Sequence, residues 1–229
     1  MPTIKERPVL FSAPMVRALL AGTKTQTRRV MKEQPVVDGL FWRVYGAGWS
    51  RRLTSVPAVP GHSLATNCPY GQTGDRLWVR ETFGRPWHHG QPRFFYRASD
   101  DDSVGNHPDF DGWKPSIHMP RAASRILLQI TDVRVERLQD ISEADAEAEG
   151  CERLDVEREE RDWKLCPQCG GTRLHNGLGP NGGVIFDLDC TACDTYAKRY
   201  RHLWEAINGP GSWDANPWVW CISFKRVEE

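Results

Sequence analysis

The chain has 229 residues, with 30 Lys+Arg against 30 Asp+Glu, seven cysteines and ten tryptophans. That length suits one large domain with a sizeable core, and the balanced charge excludes bulk attraction to nucleic acid or to an anionic membrane, so any nucleic-acid contact has to be local. No apolar run approaches the roughly 18–20 residues of a membrane span, and Met1 to Leu20 lacks the basic start and continuous apolar stretch of a signal peptide, which predicts a cytoplasmic protein.

The first predicted element is a helix from about Ser12 to Ala21. Ser12 suits the cap and Pro14 the first turn, Met15, Val16, Leu19 and Leu20 form one apolar stripe, and Gly22 stops it. Directly after it, Ala21-Gly22-Thr23-Lys24-Thr25-Gln26-Thr27-Arg28-Arg29 gathers a lysine, three hydroxyls and two arginines, a polar site hung on a rigid element. Residues 34–74 show little periodicity but much proline, glycine and aromatic, which reads as a long loop-rich insertion. A strand follows from Arg76 to Phe83 behind the Gly74-Asp75 turn. Residues 84–119 form a second loop-rich insertion carrying Asp100-Asp101-Asp102, read as a solvated loop tip in preference to a cation site.

Arg125 to Leu138 gives the longest β pattern. Its alternation shifts after Thr131-Asp132, which predicts a bend or bulge there. Ile141 to Gly150 reads as a short acidic helix: Ser142 and Asp145 make a capping-box pattern and Gly150 ends it. Glu143 and Glu147 lie in or near the first turns, where the helix dipole favours a carboxylate. Glu149 sits at the opposite end, where a carboxylate is disfavoured, so solvent exposure is its plain reading and a site its alternative.

Cys166-Pro167-Gln168-Cys169 and Cys190-Thr191-Ala192-Cys193 are two C-x-x-C knuckles separated by about twenty residues, the spacing of a zinc ribbon over residues 163–195. Four thiolates satisfy tetrahedral zinc, so the reading is a structural site, with disulfides or free thiols as alternatives and His175 as a ligand only if a cysteine fails. The ribbon then serves either as a staple replacing core or as one wall of a cleft. Between the knuckles, Asn176 to Gly183 reads as a loop and Val184 to Leu188 as a strand; a phosphate cradle is disfavoured because no helix opening or lysine follows. Thr195 to Asn208 is an amphipathic helix with Tyr196, Tyr200, Leu203 and Ile207 on one stripe. In the last strand Trp218, Trp220, Ile222 and Phe224 alternate onto one face, which favours core over base stacking. Cys68, Cys151 and Cys221 read as free thiols.

The helix, then Gly22-Thr23-Lys24-Thr25-Gln26-Thr27-Arg28 in a G-x-K-x-x-x-R pattern, then strands, the acidic helix and the terminal Ile222-Ser223-Phe224-Lys225 together resemble the ASCH family of the PUA-like superfamily. Arg7 to Phe11, Arg76 to Glu81 and Gly211 to Trp218 further resemble ASCH-like proteins of tailed phages and prophages. The resemblance implies an α+β fold over residues 1–229, a small mixed β-barrel with flanking helices, a cleft between them, and RNA or nucleosides as partners. The two insertions and the ribbon have no counterpart in the minimal domain.

A compact bacterial member of this family removes the acetyl group from N4-acetylcytidine with a Lys, a Thr three residues later and a Glu from the acidic helix. By that resemblance Lys24, Thr27 and Glu149 are the catalytic residues, and Arg28 and Arg29 bind substrate or phosphate. The chemistry is coherent if the Thr27 hydroxyl attacks an amide carbonyl while a neutral Lys24 takes its proton, a state that burial favours and a neighbouring carboxylate opposes. No catalytic cofactor is implied. A non-catalytic RNA-binding module and a ribonuclease are the alternative functions.

Overall fold

The computed structural model describes residues 3–38, 41–43, 56–57, 62–84, 87–88, 91–92, 94–99, 110, 112–151, 161–163 and 165–227. Within them the chain is α+β, with more strands than helices. The Asp100-Asp101-Asp102 run lies outside the described residues.

Five strands build the main sheet: β1 (Glu6–Leu10), β2 (Gln26–Val30), β3 (Arg76–Arg80), β4 (Leu127–Arg137) and, past a separate hairpin of β5 (Leu174–Leu178) and β6 (Val184–Asp189), β7 (Trp218–Val227). Their order is β1-β3-β4-β7-β2. Only β1 and β3 pair in parallel; the other ladders are antiparallel. The helices are α1 (Ala13–Leu20), α2 (Glu143–Ala148) and α3 (Tyr196–Asn208).

β7 is an interior strand of this layer, between β4 and β2, and its side chains are apolar on both faces. Trp220, Ile222 and Phe224 join Val9, Phe11, Leu77, Val79, Leu128 and Ile130 in the core under α1. Val219 and Cys221 point the other way, against Leu138, Ile141, Ala146, Tyr200 and Trp204 under α2 and α3. The expected face of the terminal strand is therefore buried, with a second face buried behind it. Trp218 is half-buried and carries the Arg137 guanidinium 4.5 Å from its ring centroid.

The shift of alternation in β4 is a β-bulge. The register passes from Ile130 opposite Phe224 to Asp132 opposite Ser223, leaving Thr131 unpaired. That extra residue lets Ile130 and Val133, three apart, both enter the same core.

Other expectations are adjusted in extent. The strand expected from Arg76 to Phe83 stops at Arg80, where its pairing with β1 ends at Leu10; Glu81 beyond it is buried, 1% exposed, and takes a bidentate grip from Arg125 at 2.8 and 2.9 Å. Phe83–Gly84 then pairs separately with Phe95–Tyr96. The first insertion carries structure of its own, a three-stranded sheet of Val36–Asp38, Phe41–Arg43 and Val56–Pro57 and a short helix at His62–Ala65. Part of the expected 176–183 loop is strand, since β5 runs on to Leu178.

The closed barrel implied by the resemblance is not present among the described residues, because β1 and β2 are the two edges of an open sheet. The edges nonetheless approach each other. Arg29 on β2 donates through Nη2 to the Leu10 carbonyl on β1 at 2.5 Å, and its guanidinium lies 5.2 Å from the Phe11 ring centroid. A side chain spans the seam where a ladder would have closed it. No described helix is long and apolar enough to cross a membrane.

Leu77, fully buried at the junction of β1, β3 and β4, tests this packing. Leu77→Ala is expected to cost about 2–5 kcal/mol of unfolding free energy, read as a lower urea midpoint with unchanged slope.

Candidate functional site

The end of α1 delivers the polar segment to a defined place. Gly22 adopts φ 75°, and the Thr23 and Lys24 amides both donate to the Ala18 carbonyl, so the chain turns sharply as it leaves the helix. The regular strand begins only at Gln26. Before it, Lys24 forms an isolated antiparallel bridge with Glu149, and the Thr25 amide donates to the Ala148 carbonyl at 2.8 Å. The C-terminal end of α2 thus covers the start of edge strand β2. Gly150 makes the approach fit: it has φ 80°, and a Cβ there would lie 2.8 Å from the Lys24 Cβ and 3.0 Å from that of Ala18.

Lys24 is wholly enclosed. Its Nζ donates to the Glu149 backbone carbonyl at 2.7 Å and to Glu149 Oε2 at 2.8 Å, and it lies 5.6 Å from the Phe11 ring centroid. Glu149 is 3% exposed, so the carboxylate at the disfavoured helix end is compensated by cations instead of water. Its other oxygen, Oε1, faces Arg28 Nη1 at 3.7 Å and accepts from the Tyr200 hydroxyl at 3.4 Å. Burial, reinforced by Glu149, pushes the Tyr200 phenol well above its ordinary value, which keeps it a proton donor.

Strand alternation sorts the neighbours. Thr27 and Arg29 lie opposite Ile222 and Trp220, on the α1 face, while Arg28 lies opposite Cys221 on the α2 face. Lys24 and Arg29 both approach Phe11, so the break before Gln26 brings Lys24 to the face that carries Thr27. Glu149 reaches around the edge and touches cations on both sides. Thr27, Arg28, Arg29, Glu149, Tyr200 and Trp204 help line one recess of about 60 Å³ along this edge.

Arg28 has a fully buried side chain and donates to Asp145 at 3.0 Å and Glu136 at 3.1 Å through Nη2. Its Nε and Nη1 are buried without a hydrogen-bond partner. Arg134 completes the network, meeting Asp145, Glu136 and the Gln26 side chain. Burial alone would raise the Asp145 carboxyl, but Arg28 and Arg134 outweigh it and hold it below the usual carboxylate range. The carboxylates Glu136 and Asp145, and Arg134 with them, are site residues that sequence reasoning missed. Only their positions on β4 and in the first turn of α2, on the side facing β2, could have suggested them.

The four cysteines come together as the knuckle spacing predicts. Cys166, Cys169, Cys190 and Cys193 are buried, with ligand atoms all within 4.8 Å of one another. The Cys166–Cys190 and Cys169–Cys193 sulfurs are 3.7 and 3.4 Å apart. A tetrahedral zinc with Zn–S bonds of about 2.3 Å needs sulfurs about 3.8 Å apart, while a disulfide needs about 2.05 Å, so the donor set fits a metal and not a bridge. Gly170 and Gly171 take positive φ after the first knuckle, and the Gly170 amide closes it on the Cys166 carbonyl at 2.9 Å. The ribbon also forms a wall: Leu165, Cys166, Gly171 and Cys193 face a chamber of about 480 Å³ whose other lining includes Met15, Glu149, Leu203 and Ile207. Those last four also line the small recess, so the two spaces adjoin. Cys151 lines the chamber, but burial pushes its thiol up to about 12, so it is no nucleophile at neutral pH.

Comparison with protein-family models, with curated proteins and with solved structures finds no match to this chain.

Two outcomes are expected. Because the Asp145 carboxyl is lowered in the folded state, its contribution is present above the unfolded value near 4 and is lost as pH falls through the folded one. Asp145→Asn should therefore show a shallower loss of stability than wild type between pH 5 and 2 in acid-unfolding curves. The intact protein should also carry one zinc per chain by elemental analysis, and Cys166→Ser should reduce that content at least tenfold.

Proposed function

We propose that this chain is an ASCH-type, PUA-like protein acting on a modified nucleoside or RNA base, as an amidohydrolase that removes an acyl group such as that of N4-acetylcytidine. The observation that carries the reading is the contact between Lys24 and Glu149, 125 residues apart in sequence, with Thr27 lining the same recess as Glu149. A lysine, a hydroxyl and a carboxylate at one edge supply a base, a nucleophile and a proton relay.

In this mechanism Lys24, held against Glu149 at 2.8 Å, is the residue that takes the Thr27 hydroxyl proton. Thr27 Oγ1 forms a bond to the amide carbonyl carbon. Arg28, whose Nε has no hydrogen-bond partner, lines the same recess from the other face of β2 and is a donor to substrate there. The C–N bond then breaks as the exocyclic nitrogen takes the proton, and water hydrolyses the threonyl ester to free carboxylate and hydroxyl. Tyr200, kept protonated, fixes Glu149 from the α3 side.

The binding-only and ribonuclease alternatives both need cations free to meet phosphate. Arg28 is buried among carboxylates and Arg29 is engaged by Leu10 and Phe11, an arrangement better suited to orienting a small neutral group than to tracking a strand.

The test is turnover of N4-acetylcytidine and related acylated nucleosides. Thr27→Val and Lys24→Ala should each lower kcat/KM at least 100-fold, while Thr27→Ser retains measurable turnover. Lys24→Ala also breaks a buried ion pair, a loss of about 3–5 kcal/mol, so its fold is checked by circular dichroism, and Thr27→Val carries the chemical conclusion. No turnover by wild type on any acylated nucleoside, with RNA retention unaffected by Lys24→Ala, overturns the reading.

A further inference from the structure

The chamber between α1, the Glu149–Cys151 turn, α3 and the ribbon has more room than the recess that carries Thr27. Its volume of about 480 Å³ falls in the range of small-molecule pockets, and Met15, Leu165, Leu203 and Ile207 give it apolar walls. Its polar lining includes the buried Glu149 and the buried Arg199, whose Nε is taken by the Cys193 carbonyl. Each oxygen of that carboxylate has lone pairs beyond the single bonds taken by Lys24 and Tyr200. Beside that carboxylate an N–H finds a ready acceptor, whereas a second carboxylate, which only accepts, can make no hydrogen bond to it.

The ribbon wall has almost no apolar support of its own. Among the described residues, the buried cluster inside it consists of the four cysteines with Ala192 packed against them. A bound metal would stand in for that missing core. From there the wall is tied to α3 by three side chains, each reaching a carbonyl of the second knuckle. Lys198 Nζ meets Thr191 at 2.8 Å, Arg199 Nε meets Cys193 at 3.0 Å, and His202 Nε2 meets Ala192 at 2.9 Å. The first turn of α3 is in turn capped by Glu143 of α2, through the amides of Tyr196 and Ala197 at 2.8 and 3.1 Å. Knuckle, α3 and α2 are therefore linked by one run of hydrogen bonds, and Glu149 sits at the end of α2.

We propose that this chamber binds a small uncharged ring compound bearing an amide N–H, with its ring against Met15 and Leu203 and its N–H on Glu149, and that the site is complete only when the four cysteines hold their metal. The site goes beyond the amide-cleaving reading and does not depend on Thr27.

The test is a fluorescence titration of the full-length, zinc-loaded protein with 2-naphthamide, and with 2-naphthoate as the charged counterpart. Saturable binding of the amide is expected, with the carboxylate at least tenfold weaker. Ala206→Trp, which puts an indole into the chamber from α3, should weaken the amide at least tenfold, and so should chelation, followed by circular dichroism to establish that the sheet survives. Thr27→Val should leave binding unchanged even where turnover is lost, so the chamber and the catalytic reading fail separately. No amide binding by the loaded protein overturns the proposal, as does equal affinity for naphthoate, or an affinity indifferent to Ala206→Trp. Amide affinity unaltered by chelation of a still-folded chain overturns its metal dependence. If chelation unfolds the whole chain, the Ala206→Trp and naphthoate comparisons on loaded protein decide.

Discussion

The bridge between Lys24 and Glu149 is the constraint around which this structure is arranged. An edge strand offers unpaired amides and carbonyls to solvent, and β2 is such a strand. Here the end of α2 covers its beginning through two backbone contacts and an enclosed ammonium–carboxylate pair. The geometry tolerates no ordinary residue at position 150, because the helix end and the strand approach within the radius of a methyl group. Positioning α2 there also places Asp145 against Arg28 and Glu143 under the first turn of α3. One short helix therefore fixes an edge, a charge network and a second helix.

Such a network is costly to assemble. Each buried ion loses hydration worth several kcal/mol, recovered only when hydrogen bonds satisfy it. Lys24 and Glu149 meet that condition, and Arg28 meets it on one nitrogen but not on Nε or Nη1. The Nη1 of Arg28 keeps only the 3.7 Å contact with Glu149, so part of the cost of burying this guanidinium is left unrecovered beside the recess. The Glu81–Arg125 pair offers a contrast: its bidentate geometry and the 4.0 Å approach of Arg125 to the Tyr96 ring leave it fully occupied, and it reads as internal bracing.

Much of this was legible in the chain. The helix before Gly22, the β4 bulge, the Ser142 cap and the cysteine knuckles each depend on short-range chemistry, so spacing alone located them. Lys24 and Glu149 were paired by resemblance, since nothing local links residues 125 apart. The strand at 76 overran because its alternation continues through Glu81, whereas its pairing with β1 ends at Arg80. Trp204, buried beside Tyr200, fell off the expected stripe because α3 packs on the sheet and on the ribbon together and so buries more than one face. The open sheet was invisible for a different reason: whether two edges meet in a ladder or across an arginine depends on curvature accumulated over all five strands, which no segment encodes by itself.

The placement of β7 has a consequence for synthesis. This strand lies between β4 and β2, yet it is the last described element, and its residues 219–223 pair with residues 26–30. While the chain is being made, β2 waits for some 190 residues before β7, its ladder partner among the described residues, leaves the ribosome, and during that time its amides have no sheet to join. Contacts this distant in sequence make for slow closure. The early helix and the cysteine knuckles depend on contacts close in sequence, but the edge that carries Thr27 and Arg28 gains its ladder only once residues 219–223 are made.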